Sequence, residues 1–355
     1  MKVTRIGGEF EIDPKLLLPV KKETRFSGML LSSGRSAFSF ILSYLKKNYN
    51  ICEILLPEYL CGSLISTVKK NGFEYTYFNL DENLEIDRDK FPNDIDNKAV
   101  LLINYFGLKD TSQEIDFIKG ISNDCKIILD NVQALSEMFH ELKADFTFAS
   151  FRKFLPVPDG SWIRAKDENI YKDTSFPNSD IYVYKLLGGI TKFYSNQRML
   201  DDELYLNFFK IGEMEIEASN KISSISKQSI CIISNLREKL NEIFARRIIN
   251  ANFIIENLRS LGIEFLFDIK STLIKAPLAI PILLRERDKI RNVFFEEKIF
   301  LPVHWPIDHE FNDSLVLAKK ISEYELSIVI DQRYDQKILG RIIETLWKCK
   351  KEGLL

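Results

Sequence analysis

One lysine stands out for its surroundings. Lys153 follows the alternating run Phe146, Phe148, Phe151 and precedes Phe154-Leu155-Pro156-Val157-Pro158. The two prolines lack N–H groups and fix their φ angles, so this segment reads as a stiff turn at a strand end, not a helix. Apolar flanks disfavour an ammonium ion and move the amine toward the range where it is a nucleophile, able to form an imine with an aldehyde. Three further groups have complementary chemistry. Asp130 closes the apolar run Lys126–Asp130, and Gln133 follows three residues later. Gly34-Arg35-Ser36 opens a helical pattern, where free N–H groups and the helix dipole favour a phosphate. Ser150 lies three residues before the lysine.

The elements that must position these groups are legible from periodicity. A helix with Phe38, Ile41, Leu42 and Leu45 on one face follows Ser32-Ser33-Gly34, after an irregular arm over residues 1–31 broken by Gly7-Gly8, Pro14 and Pro19. Short apolar runs ending at Pro57, Phe78, Ile103 and Asp130 read as strands, and the segments between them read as helices, the first stopping at Asn71-Gly72. Such alternation predicts an α/β fold with a mostly parallel sheet flanked by helices. Ligands then bind outside the carboxyl ends of the strands, where Asn104, Asp130, Ser150 and Lys153 should gather. Residues 166–235 are less regular and are expected to form helices and loops that cover the sheet or meet a second subunit. From about residue 236 the pattern predicts a smaller α+β C-terminal domain (236–355) beside the large domain (32–235). Its strands are expected near 263–267, 278–284, 300–303 and 326–330, and its helices near 236–261, 285–297, 312–321 and 335–350.

Composition excludes several function classes. The 355 residues are 45% hydrophobic and 28% charged with a net charge of −2, which argues against nucleic acid as the main partner. Five scattered cysteines without a C-x-x-C pair form neither a disulfide framework nor a zinc site and fit a reducing cytosol. No apolar run reaches the roughly 18 residues of a membrane span, so the expectation is a cytoplasmic, unanchored protein. His140, His304 and His309 have no metal-ligand spacing.

An amine for an imine, a carboxylate for a protonated ring nitrogen, a polar side chain for a ring hydroxyl and a helix start for a phosphate are together what pyridoxal 5′-phosphate requires. The sequence resembles fold-type I pyridoxal-phosphate enzymes, and among them the DegT/StrS-type sugar aminotransferases, in element order over nearly its whole length. Asp130-Asn-Val-Gln133 resembles that family's Asp-x-x-His/Gln, which implies Asp130 on the pyridine nitrogen and Gln133 at the ring oxygen. Ser33-Gly-Arg-Ser-Ala37 resembles its phosphate loop, implying contacts from Gly34, Arg35 and Ser36. Ser150-Phe-Arg-Lys153 resembles the segment before its imine lysine. Pro302-Val-His-Trp-Pro306 and Ile330-Asp-Gln-Arg-Tyr334 look like segments of a branch found among polysaccharide-related proteins. The resemblance implies a homodimer, an amino donor such as glutamate, a keto acceptor on a nucleotide-linked sugar, and Asn196 or Arg198 reaching a neighbour's phosphate.

Three positions depart from the family pattern. Where an aromatic ring usually covers the cofactor stands Cys61, so either its thiol or the ring of Tyr59 takes that place. The serine-to-lysine spacing is three instead of five, and the turn after the lysine reads Asp159-Gly160-Ser161. Other readings stay open for single residues: Asp130 or Ser36 as a helix cap, Arg35 as a solvated arginine, His304 as a structural histidine, and Arg333 as a carboxylate clamp or a salt-bridge partner. Ser150-x-x-Lys153 also matches a serine acyl-enzyme motif, but the accompanying Ser-Asp-Asn and Lys-Thr-Gly are missing. A lyase, a racemase or a catalytically silent relative would use the same framework.

Overall fold

The computed structural model describes residues 4–20, 24–172, 174–180, 182–219, 221–306 and 315–355. The chain begins with β1 (Ile6–Gly7) and β2 (Met29–Leu31), then alternates through α1 (Gly34–Tyr49), β3 (Glu53–Pro57), α2 (Gly62–Lys70), β4 (Glu74–Phe78), β5 (Ala99–Ile103), α3 (Ser112–Ile121), β6 (Lys126–Asp130), β7 (Phe146–Ser150) and β8 (Ser161–Ala165). Strands β2 to β8 form one seven-stranded sheet in the order β2-β8-β7-β6-β5-β3-β4. Neighbours among β3 to β7 pair in parallel, while β8 runs antiparallel to both β7 and β2. Every side chain of β5 and β7 is buried, as expected for central strands covered on both faces.

Helices α4 (Tyr182–Asn196), α5 (Asp202–Ala218) and α6 (Lys227–Leu236) fill the region that has no clear pattern in the sequence. Helix α7 (Leu240–Leu261) ends at Gly262 in the left-handed conformation. Beyond it lie β9 (Ala279–Leu283), α8 (Arg287–Glu296), β10 (Ile299–Phe300), α9 (Val316–Tyr324), β11 (Glu325–Val329) and α10 (Gln336–Lys351). The antiparallel pair β9–β11 and helices α7, α8 and α10 make the C-terminal part, and its apolar residues run into the same core as the large sheet.

Four expectations are corrected here. Residues 263–267 bury Ile263, Leu266 and Phe267 but form one isolated bridge, Phe265 to Ile282, with two backbone bonds to β9 (Leu266 N–H to the Pro281 carbonyl, Leu283 N–H to the Glu264 carbonyl), and no continuous strand. The strand expected at 300–303 shortens to β10, since Pro302 has no N–H to donate. The N-terminal arm is not wholly irregular: β1 pairs in parallel with β10, and β2 is the edge strand of the large sheet. The helix expected at 312–321 starts at Val316, and residues 312–314 lie outside the described residues, as does His309.

Candidate active site

A cavity of about 740 Å³ opens at the carboxyl ends of β5, β6 and β7, between the large sheet and the C-terminal part. Asp130, Gln133, Ser150, Lys153, Gly34, Arg35 and Cys61 all line it. Three segments far apart in sequence therefore converge as the parallel-sheet argument requires. Ser36 does not line this cavity. Its hydroxyl is engaged with Ser32, Ser33 and the Lys221 carbonyl, and it borders an adjoining polar pocket instead. Asn104 also faces elsewhere: side chains alternate at the end of β5, so Ile103 points to the cavity and Asn104 lines a separate pocket.

The floor is built by the loop after β6. Asp130 is 7% exposed and accepts a 2.7 Å bond from the Val132 N–H through Oδ1. Burial raises its carboxyl to about 7, against the pull of the Val132 N–H and of Lys153. Gln133 accepts from the Phe106 N–H at 2.7 Å, which pins the amide oxygen and leaves its NH2 group as the end available to the cavity. The Phe106-Gly107 turn that delivers this N–H has both residues at positive φ, and a Cβ at Gly107 would lie 2.6 Å from the Gln133 carbonyl oxygen. Only glycine fits there.

Lys153 ends a single 3-10 turn, Phe151–Lys153, directly after β7. Its side chain is accessible because it projects into the cavity, yet protein encloses it on every side at longer range. That enclosure lowers the amine below its usual range; Cys61 nearby works in the opposite direction and Arg152 adds to the lowering. The Lys153 ammonium has no hydrogen bond or ion pair with any described residue. On the return strand, the Gly160 carbonyl accepts from the Phe151 N–H at 3.0 Å and from the Ser150 hydroxyl at 3.5 Å, with Gly160 at φ +125. Gly160 thus closes the turn after the lysine.

Of the two residues placed to cover a ring opposite Lys153, Cys61 lines the cavity at the start of α2. Tyr59 is 1% exposed, stacks on Tyr105 at 5.7 Å and packs against Trp305 at 5.2 Å, outside the lining. Arg333 also lines the cavity, but its guanidinium is engaged: it pairs with Asp331 through Nε and Nη2 (2.9 and 2.8 Å), with Glu11 at 3.3 Å, and with the Gly8 and Glu9 carbonyls. Asp331 is held below its ordinary range because Arg333 outweighs its burial. The salt-bridge alternative for Arg333 is what the structure shows. Asn196, the last residue of α4, and Arg198, in the turn after it, are exposed and do not line the cavity of their own chain.

Several lining residues escape sequence reasoning. Arg152 pairs with Glu213 of α5 at 2.9 Å, and Lys185 of α4 joins both Glu213 and Glu9 at 2.6 and 2.7 Å. Arg247 on α7 is buried and donates to Gln332 Oε1, to the Pro277 and Leu278 carbonyls and to the Lys153 carbonyl, while Gln332 donates to the Phe154 carbonyl at 2.6 Å. These bonds tie the lysine turn to the C-terminal part. Arg152 is signalled in the sequence only by its place next to Lys153. The others come from helices whose amphipathic pattern gives no hint of a cavity. No group of acidic, histidine or cysteine side chains among the described residues is arranged to hold a metal.

No family model matches the sequence, and a search of curated proteins returns no match. Solved structures do match. NtdA of Bacillus subtilis, crystallised with bound cofactor PMP, superposes with a TM-score of 0.65 at 18% identity, over 91% of this chain and 73% of that one. A DegT DnrJ EryC1 StrS aminotransferase of Brucella abortus gives 0.61 at 13% identity, over 90% and 85%. The sugar aminotransferase CalS13 of Micromonospora echinospora gives 0.60 at 13%, over 90% and 86%. This chain has the fold of these aminotransferases. The expected mostly parallel, helix-flanked sheet of fold type I is borne out.

Proposed function

We propose that the protein is a pyridoxal-phosphate-dependent aminotransferase that transfers an amino group from an amino acid such as glutamate to a keto group of a nucleotide-linked sugar, in polysaccharide biosynthesis. The observation that carries the reading is the convergence of Lys153, Asp130 and Gln133 on one cavity, with the start of α1 beside them, in a chain with this fold. The donor set fits the cofactor. Asp130 sits where a protonated ring nitrogen would relieve its burial, Gln133 offers an NH2 group for the ring oxygen, and Lys153 is an enclosed amine without a partner among the described residues. The N-terminus of α1 at Gly34 and Arg35, with Ser150, suits a phosphate.

When bound, the cofactor supplies an electron sink for the carbon that loses its proton. The remaining work falls to the protein. Lys153 is the residue that would hold the cofactor, and its amine, when free, would carry a proton as base and then as acid. Asp130 would face the ring nitrogen and, by favouring its protonated form, would stabilise the negative charge that the cofactor takes up. Cys61, which lines the cavity, would take the covering place where Tyr59 does not reach. The cavity, near the upper half of the usual 300–1,000 Å³ range, has room for a substrate larger than an amino acid.

The test is spectroscopic. Protein supplied with pyridoxal phosphate should turn yellow, bleach in a single turnover with its amino donor, and regain colour with a keto sugar nucleotide. A protein that stays colourless with the added cofactor would end the proposal.

We further propose a homodimer formed through α4 and α5. Leu206 and Met214 on α5 are 56% and 59% exposed, and Leu204 and Ile211 are exposed beside them, more apolar surface on one helix than an isolated subunit normally shows to water. The exposed Asn196-to-Arg198 turn adjoins this face. The double variant Leu206→Asp, Met214→Asp should sediment as a monomer while keeping its far-UV circular dichroism; an unchanged sedimentation coefficient would place the interface elsewhere. Five free cysteines and the absence, among the described residues, of any helix long and apolar enough to cross a membrane support a cytosolic setting.

A further inference from the structure

We propose that His304, Ser327 and Glu325 form a proton relay that makes the cavity-facing nitrogen of His304 a general acid–base group for the bound keto acceptor. The geometry is continuous. His304 Nδ1 lies 2.7 Å from Ser327 Oγ, and Ser327 Oγ lies 2.5 Å from Glu325 Oε1. The other oxygen, Glu325 Oε2, accepts the His304 backbone N–H at 2.6 Å, which fixes the carboxyl group's orientation. Glu325 and Ser327 are fully buried on β11, and His304 is 7% exposed and lines the cavity. Nε2 makes no hydrogen bond with any described residue, and Lys153 is close enough for its charge to act on the ring. Nδ1 faces the relay and Nε2 the substrate space.

A lone imidazole here would be a poor acid–base group. Burial, helped by Lys153, lowers His304 to about 3, so it stays neutral at any working pH. Glu325 is the group that titrates in the useful range: burial raises it to about 8, opposed by Ser327, the His304 N–H and Arg287 at the start of α8. Tyr59 also feels the charge on Glu325. With Glu325 ionised, Ser327 donates to it, His304 donates from Nδ1 to Ser327, and Nε2 presents a lone pair. When Nε2 takes a proton from an oxygen or nitrogen of the acceptor, the Nδ1 proton passes to Ser327 Oγ and the Ser327 proton to Glu325 Oε1. One proton enters at Nε2, one arrives at Glu325, and the imidazole is neutral before and after. The reverse sequence protonates a departing oxygen as water. The relay lends His304 an acid–base range near that of Glu325, close to where such catalysis is most effective. Lys153 remains free for the proton on carbon.

The role toward the acceptor rests on the aminotransferase reading; the relay itself does not, and cofactor-free protein tests it. In ¹⁵N-histidine NMR of the full chain, His304 should stay neutral from pH 5 to 10 yet change from the Nε2–H to the Nδ1–H tautomer with a midpoint near 8. Glu325→Gln, whose oxygen keeps the backbone N–H and whose NH2 then faces Ser327, should lock the Nε2–H form across the range. In cofactor-loaded protein, Ser327→Ala should lower kcat for the acceptor half-reaction about 100-fold and remove its inflection near pH 8. A His304 that becomes charged near its ordinary pH, or keeps one tautomer throughout in the unsubstituted protein, overturns the relay even if the protein is yellow and active. A normal tautomer change in a protein that binds no cofactor would refute the aminotransferase reading and leave the relay standing.

Discussion

Lys153→Ala is expected to bind pyridoxal phosphate without a covalent bond and to lose turnover by about 10⁴-fold, the upper end of what a positioned acid–base group contributes. The argument rests on what no other residue replaces. The Lys153 amine has no partner among the described residues, and its enclosure in the cavity lowers its proton affinity and so favours the free amine. Arg152, its neighbour, lines the same cavity but is held by Glu213, and a guanidinium is not an amine nucleophile. Borohydride reduction followed by peptide mass analysis should mark Lys153 in the unsubstituted protein and nothing in the variant. Lys153→Arg keeps a cation in the cavity but no nucleophilic amine, and should be as inactive as the alanine variant. Turnover in either variant within tenfold of the parent would remove Lys153 from the centre of the mechanism.

Asp130→Asn should lower kcat by about 10² to 10³-fold while leaving the cofactor covalently attached, because it removes an electrostatic stabiliser of the developing charge and not the nucleophile. The same substitution has an opposite effect on the empty protein. Asp130 has its folded-state pKa raised by burial to about 7, from an ordinary value of 3.8. A raised folded-state pKa means that stability is lost as the pH rises toward and through 7, where the carboxyl group ionises without a cationic partner. Cofactor-free Asp130→Asn should therefore gain thermal stability relative to its parent above pH 7 and show little difference near pH 4. Adding cofactor should reverse the order, since the ring nitrogen pairs with Asp130 and not with asparagine. Equal kcat values, or a variant less stable than its parent at pH 8 without cofactor, would contradict the assignment of Asp130 to the ring nitrogen.

The order of the elements from α1 to β7 was readable from the sequence because each strand there is a short apolar run and each helix an amphipathic one. That reading placed Asp130, Ser150 and Lys153 at neighbouring strand ends, since a parallel sheet brings the ends of its strands to one edge whatever their separation in the chain. It also identified Gln133 and the start of α1. Asn104 misled because the end of a strand specifies the edge but not the face, and one residue of alternation turns a side chain away. The edge strand β2 was hidden because three residues beside Gly28 are too few to show a period.

Other features have no local signature. Arg333 is engaged by Asp331, two residues before it, and by Glu11 and the arm carbonyls, more than 300 positions away, so a carboxylate clamp and a salt bridge looked equivalent in sequence. The same is true of Arg247 and Gln332, which bind the lysine turn through backbone carbonyls, groups that every residue carries. His304 could be read only as a histidine between prolines. Its partners sit on β11 at alternate positions, Glu325 and Ser327, an arrangement that means nothing until β11 is laid beside residues 302–304. The sequence by itself determined the parallel strands β3 to β7, the lysine and the acid at neighbouring strand ends, because those follow from periodicity and strand direction. Tertiary structure alone decided which polar groups are already paired, which face the cavity, and which titrate near neutrality, because pairing and burial depend on segments that meet only in the folded chain.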